Sequence, residues 1–240
     1  MKKSILFLIV AFVFTNISLF AFENDLFKVN ENGWKIENSS KPNTFLFSLK
    51  DFVKEDPKNV EPKILIEVNE FGENRYIKDD SILLDAAKLG ANETINLRKK
   101  IISDTFTREM KARIPSITNK QIEEILEKEL GTVEIENPSY TIVDGHKAAV
   151  IESTLGYIKT RLFVFMTLRK AFTITITYTE PTSIDSISEY DQFISSFNSK
   201  DKKATYYNAV ISPLLKYGFI FSMLLLIGVV IVVIVAKKAS

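Results

Sequence analysis

Hydrophobic and polar residues alternate along several short stretches of the chain, as they do in β-strands with one buried face. The alternation is clear over residues 44–50 and 64–68, and it returns in the second half of the chain. There, Asp144-Gly145 separates two alternating stretches and is typical of a tight hairpin turn. Residues 158–169 carry apolar side chains on both faces of the predicted strand, which indicates a sheet covered on both sides.

Between these strands, residues 81–131 change to helical spacing of their apolar positions. Residues 81–89 predict a first helix that ends at Gly90, since glycine commonly follows a helix C-terminus. Asp80 is the predicted acidic N-cap of this helix. Residues 92–113 predict a second helix, so the segment forms a helical insertion between two groups of strands.

Two capping boxes predict further helix starts. Thr118 and Gln121 mark a helix that Gly131 ends, and Ser186 and Glu189 mark a last helix near the end of the domain. The order of elements is then strands, helices, antiparallel strands and helix. This order predicts an α+β fold in which an antiparallel β-sheet is flanked by helices, as an α/β/α sandwich.

The N-terminus has the pattern of a secretory signal peptide over residues 1–21. Lys2 and Lys3 precede an apolar run, and small polar residues lead to a predicted cleavage after Ala21. Leu19 is large for its place before the cleavage site, so an uncleaved signal anchor is the alternative. Residues 22–199 are then the predicted extracytoplasmic domain.

The C-terminal end contains an uncharged stretch from Tyr217 to Ala236. Its length and apolarity predict one transmembrane helix, with residues 200–216 as a juxtamembrane linker and residues 237–240 as a cytoplasmic tail. This predicts a single-pass protein of the cytoplasmic (inner) membrane with its main domain on the periplasmic side. A dilysine retrieval signal is the alternative for Lys237-Lys238, and a basic flank of the membrane span is preferred.

Composition excludes several classes of function. The 240 residues include 31 basic and 30 acidic side chains, and this balance predicts no nucleic-acid partner. The chain has no cysteine, which excludes disulfides, thiolate catalysis and a cysteine-ligated metal. A single histidine, His146, excludes a multi-histidine metal site.

The second half of the chain resembles the PsbP-like superfamily, which includes PsbP and the Mog-type proteins. The resemblance lies in residues 140–148, the strand that starts at Ile158, residues 172–175 and residues 189–197. It implies a six- or seven-stranded antiparallel sheet flanked by helices, in a bacterial exported and membrane-anchored member. The superfamily contains photosystem II lumenal subunits and Ran-binding proteins, and it implies a non-enzymatic accessory role. The insertion at 81–131 is longer than the helix usual in such proteins.

No residue pattern indicates a catalytic, cofactor or metal site. His146 follows a turn and is predicted to be exposed, without partners at a recognisable spacing. Asp79 and Asp80 lack the ligand series of a calcium loop. The basic segment that runs from Arg98 to Arg113 is predicted to be a solvated helix face, with binding of anionic headgroups as the alternative.

These observations predict a non-catalytic accessory or binding module that is anchored in a membrane, has no cofactor and has a membrane or envelope protein as partner. A membrane-bound hydrolase with an unrecognised carboxylate and hydroxyl site is one alternative. An oligomeric structural envelope protein is another, to which Gly218 and Ser222 would contribute a small-residue helix contact.

Overall fold

A computed structural model describes residues 21–37, 39–53, 60–179, 184–205 and 207–223. A short hairpin pairs β1 with β2, and a large sheet contains eight strands whose pairings are all antiparallel. The strands are β1 (Ala21–Glu23), β2 (Lys28–Asn30), β3 (Trp34–Glu37), β4 (Thr44–Leu49), β5 (Lys63–Glu70), β6 (Val133–Ile135), β7 (Ser139–Val143), β8 (His146–Leu155), β9 (Ile158–Met166) and β10 (Lys170–Thr179).

The large sheet runs in the order β3-β4-β5-β10-β9-β8, and β6 and β7 both pair with β8. The predicted hairpin is confirmed, since Val143 pairs with His146 across the turn. Asp144 and Gly145 both have positive φ, at 50° and 69°, as the favoured two-residue hairpin turn requires. The domain is thus a mostly antiparallel sheet with a few helices, and its large sheet has eight strands where the resemblance implies six or seven.

One face of the sheet, the aromatic face, carries the larger part of the core. Helix α3 (Ile184–Ser196) covers it together with the N-terminal segment. Phe193 of α3 packs on Phe47 and Trp34, with ring centroids 5.0 and 5.8 Å apart. The last helix thus lies on the sheet as its spacing predicts, although it begins two residues before Ser186, which is therefore not its N-cap.

The opposite face, the threonine face, carries side chains of Thr160, Thr173, Thr175 and Thr177, which alternate with the aromatic-face residues along β9 and β10. Helix α1 (Ser81–Arg113) crosses part of this face. Its packed residues are Leu83, Ala87 and Ala91, which contact Ala149, Ile151 and Leu162 of β8 and β9. These residues form the second core of the domain.

The predicted helix end at Gly90 is wrong, because α1 continues unbroken from Ser81 to Arg113. A Cβ atom at Gly90 would lie 3.0 Å from a methyl group of Leu162. The glycine thus lets the helix approach the sheet closely, and this packing requirement explains a glycine that sequence alone assigns to a cap.

Helix α2 (Asn119–Leu130) begins at the predicted capping box. The Thr118 hydroxyl accepts a hydrogen bond from the backbone N–H of Gln121, and the Gln121 side chain accepts one from the backbone N–H of Thr118. The helix ends at Gly131, as predicted, and its last turn lies against the β8–β9 turn at Gly156.

The structure corrects the predicted transmembrane helix from Tyr217 to Ala236 and, with it, the single-pass inner-membrane location. In the part of the chain that the structure describes, no helix is both long enough and apolar enough to cross a membrane. Residues 224–240 and residues 1–20 of the predicted signal peptide (1–21) lie outside the described residues.

Replacing Gly156 with alanine is expected to destabilise the domain by about 2 kcal/mol or more. Gly156 has a φ of +61°, and a Cβ there would lie 2.5 Å from the carbonyl oxygen of Leu130. The variant would combine backbone strain with a clash against main chain that cannot rotate away.

Gly72→Ala is the matched control, because a Cβ at Gly72 meets nothing within 4 Å and its φ is not positive. Urea unfolding should show this control unchanged or slightly more stable. Equal unfolding free energies for the two variants would contradict the close contact between α2 and the β8–β9 turn.

Candidate functional site

A groove lies between α1 and the part of the threonine face that α1 leaves uncovered. Its volume is about 800 Å³. The floor comes from β4, β5 and β10, with Leu46, Leu65 and the three threonines of β10, and one wall comes from α1. The groove exists because α1 contacts β8 and β9, whereas the neighbouring strands have no described helix on this face.

The wall of the groove is a second apolar stripe of α1. Leu89, Leu97 and Ile101 lie on it, at the four- and eight-residue spacings that place side chains on one side of a helix. Their exposed fractions are 61%, 60% and 56%, whereas the parallel stripe with Leu83 and Ala87 is buried. One stripe of the helix is thus packed on the sheet, and the other faces the open groove.

Arg98 lines the groove and is turned toward the sheet. Its guanidinium donates hydrogen bonds to the hydroxyls of Thr160 and Thr177, which are direct cross-strand neighbours on β9 and β10. Burial lowers the pKa of Arg98 to about 10, because the charged form loses hydration. Among the described residues, no carboxylate forms an ion pair with it.

The other charged residues of the groove are mostly paired or solvated. Lys63 on the floor forms ion pairs with Glu37 at 3.3 Å and Glu61 at 3.4 Å. Lys41 and Glu93 are exposed to water. Among the described cations of the groove, Arg98 therefore differs in combining partial burial with only neutral hydrogen-bond partners, the two threonine hydroxyls.

The predicted solvated basic face needs correction at this one residue. Arg108, Lys111 and Arg113 are exposed on α1, in agreement with that expectation, but Arg98 points into the groove. Sequence reasoning missed this site because the threonine partners lie 62 and 79 residues away. The periodic stripe from Leu89 to Ile101 was the available signal, and it is indistinguishable in sequence from a buried stripe.

Asp79 and Asp80 serve the start of α1. Asp79 Oδ1 accepts a hydrogen bond of 2.9 Å from the backbone N–H of Ser81, which lowers the pKa of Asp79. Asp80 occupies the N-cap position of α1, as predicted, but its side chain makes no cap hydrogen bond and pairs instead with Lys147. Within the described residues, no group of three acidic or histidine side chains could hold a metal ion.

A second polar cluster joins the β7–β8 turn to the segment after α3. The Ser199 hydroxyl donates a 2.7 Å hydrogen bond to Asp144 Oδ2, and its oxygen lies 3.2 Å from His146 Nε2. His146 is only 5% exposed and stacks on Phe165, so its predicted exposure is wrong. The histidine turns inward because the β8 alternation places it on the aromatic face.

This cluster contains serine, histidine and aspartate, but its geometry differs from that of a hydrolase. In a catalytic triad the carboxylate holds the imidazole nitrogen that does not face the serine. Here Asp144 binds the serine itself and lies 3.7 Å from the same Nε2 atom. Ser199 is also fully buried. The cluster therefore ties two chain segments together and offers no accessible nucleophile.

The segment after α3 is held against the sheet by further hydrogen bonds. Asp201 Oδ2 accepts hydrogen bonds from the Thr167 hydroxyl at 2.7 Å and from the Arg169 backbone N–H at 2.8 Å. Those bonds outweigh the effect of burial and lower the pKa of Asp201. A polar cleft of about 700 Å³ lies beside this segment, lined in part by Lys202, Lys203 and Lys216.

No family model and no curated protein matches the chain. Among solved structures, it is similar to a Bacteroides thetaiotaomicron VPI-5482 protein at 14% identity and a TM-score of 0.41, over 75% of this chain and 47% of that one. The chain thus spans about half the length of that protein.

Two other structures are similar over most of their own length. One is the cyanobacterial PsbP of Synechocystis sp. PCC 6803, with 16% identity and a TM-score of 0.38, over 75% of this chain and 91% of that one. The other is a Pseudomonas aeruginosa protein of unknown function, with 11% identity and a TM-score of 0.33, over 68% and 94%.

The imidazole of His146 is expected to titrate below the ordinary histidine value of about 6.5. Its pKa is lowered first by burial and also by the nearby Lys203, against the opposite effect of Asp144. The neutral form is thus preferred in the folded state. The contribution of this neutral imidazole to the free energy of unfolding is therefore fully present above about pH 6.5. It is lost as the pH falls through the lowered folded-state pKa.

Because the chain has one histidine, a proton NMR titration of its imidazole reads this pKa directly. Lys203→Gln should raise the midpoint, and Lys202→Gln is the control that should leave it unchanged, since Lys202 does not act on the imidazole. A wild-type midpoint at or above 6.5 would contradict the buried position of His146.

Proposed function

We propose that this chain is a non-catalytic binding module of the PsbP-like type and that the groove beside α1 is its ligand site. The observation that carries the proposal is the open apolar stripe of Leu89, Leu97 and Ile101 above a preformed floor. Large apolar side chains exposed together in a concave site are a usual mark of ligand binding.

The size of the groove supports this proposal. A volume of about 800 Å³ falls within the roughly 300–1,000 Å³ of small-molecule sites. A ligand that covered the exposed parts of the three wall residues would gain on the order of 3–5 kcal/mol from that burial. The sheet supplies a floor that is already formed, so little ordering is required on binding.

The hydrolase alternative has less support. The nearest arrangement to a hydrolytic site is the Asp144–His146–Ser199 cluster, whose serine is fully buried and bonded to the carboxylate. An oligomeric structural role stays a prediction, as does a protein partner, and no contact among the described residues favours either. The groove is thus the better basis for a function.

The neutral dye Nile red is expected to bind the folded protein and to show enhanced emission, because the groove offers it an apolar surface. Leu97→Glu should reduce this binding at least about tenfold, since it places a charge on the wall of the groove. Leu97 is largely exposed, so the substitution should leave the fold intact.

Ile82→Glu is the matched control. Ile82 is exposed to a similar extent on the same helix but does not line the groove. Its dye affinity should equal that of the wild type, with circular dichroism used to check that both variants are folded. An equal loss of Nile red affinity in the two variants, or no Nile red binding by the wild type, would contradict the proposed site.

A further inference from the structure

We propose that the groove selects an aliphatic monocarboxylate, with its carboxylate on the guanidinium of Arg98 and its hydrocarbon chain along the open stripe of α1. This inference rests on the proposed function, since it names the ligand class for the same groove. It is carried by a cation with only neutral partners in the lining of the groove, beside the open apolar stripe of α1.

Arg98 keeps enough donors to hold a carboxylate. A guanidinium has five N–H donors in a planar fork. One donor on Nη1 and one on Nη2 go to Thr160 and Thr177, which leaves three. A bidentate carboxylate needs two. Because the two threonines are paired across adjacent strands, they also fix the plane of the fork before a ligand arrives.

The charges of the groove favour one negative charge on the ligand. The described lining contains the cations Lys41, Lys63 and Arg98 and the carboxylates Glu61, Glu67 and Glu93. Lys63 is neutralised by its ion pairs, and Lys41 is solvated. A phosphate group with a charge of about −1.5 to −2 would place excess charge near these carboxylates.

The shape of the groove favours an extended aliphatic chain. From Arg98 back to Leu89, the axis of α1 advances about 14 Å at ~1.5 Å per residue. An extended chain advances roughly 3.5 Å for every three bonds, so dodecanoate spans about 13 Å. Leu46 and Leu65 of the floor and the wall residues of α1 would contact its methylene groups.

Isothermal titration calorimetry with the full chain tests the inference, with ligands kept below their micellar concentrations. Dodecanoate is expected to bind at least about tenfold more tightly than methyl dodecanoate, its neutral isostere, and more tightly than dodecyl phosphate. Arg98→Gln should abolish the preference for the carboxylate. Arg108→Gln, which removes an exposed arginine of the same helix outside the groove, should retain it.

A second measurement uses only the wild-type protein, so it remains decisive if Arg98→Gln fails to fold. The carbon-13 resonance of carboxyl-labelled dodecanoate reports the pKa of the bound acid. Contact with the guanidinium should lower that pKa below the value of the same acid free in solution. An unchanged or raised pKa would overturn the proposed contact with Arg98.

The two proposals fail in different ways. Suppose that Nile red binds the wild type and that Leu97→Glu weakens this binding. If dodecanoate then binds no more tightly than its methyl ester, or binds Arg98→Gln as tightly as the wild type, the monocarboxylate inference is wrong and the groove remains the proposed ligand site. Tighter binding of dodecyl phosphate also overturns it. If neither Nile red nor dodecanoate binds, both proposals fall.

Discussion

The close contact of one helix with a wide sheet determines the rest of this structure. Gly90 and the small residues Ala87 and Ala91 bring α1 down onto Leu162. A helix with its side chains is about 10–12 Å across, and strands lie about 4.8 Å apart, so one helix covers only about two strands. The sheet is six strands wide between β3 and β8, and no other helix of the described ranges packs on the remaining strands of that face. The groove lies beside α1 because the helix is narrower than the sheet.

On the aromatic face, large side chains fill the wide surface of the sheet. Phe27, Phe172 and Phe197 fill the space under the N-terminal segment and α3, and the ring centroid of Phe197 lies 5.2 Å from that of Phe27 and 5.4 Å from that of Phe172. Such residues bury much surface each and contribute correspondingly to stability. The two faces therefore differ: the aromatic face supplies most of the core, and the threonine face retains the open groove.

Sequence pattern predicted the elements whose signals are local. The hairpin at Asp144-Gly145, the capping box at Thr118 and the alternation along β9 needed only neighbours in the chain, and the structure confirms them. Gly90 and His146 were misread because packing against distant strands decided their roles. Arg98 could not be placed from sequence, since its partners become adjacent only through the β9–β10 register. The transmembrane helix predicted from the apolar C-terminal end is not found among the described residues.

The position of Arg98 shows why that register matters. A partly buried guanidinium loses hydration and would ordinarily be balanced by a carboxylate. The sheet instead provides two hydroxyls, which orient the group without neutralising its charge. A carboxylate at either threonine position would make a stronger internal pair and would remove the field that the groove presents to a ligand. The neutral partners therefore keep the cation ordered and electrostatically available, on rigid elements where a bound anion would need little further organisation.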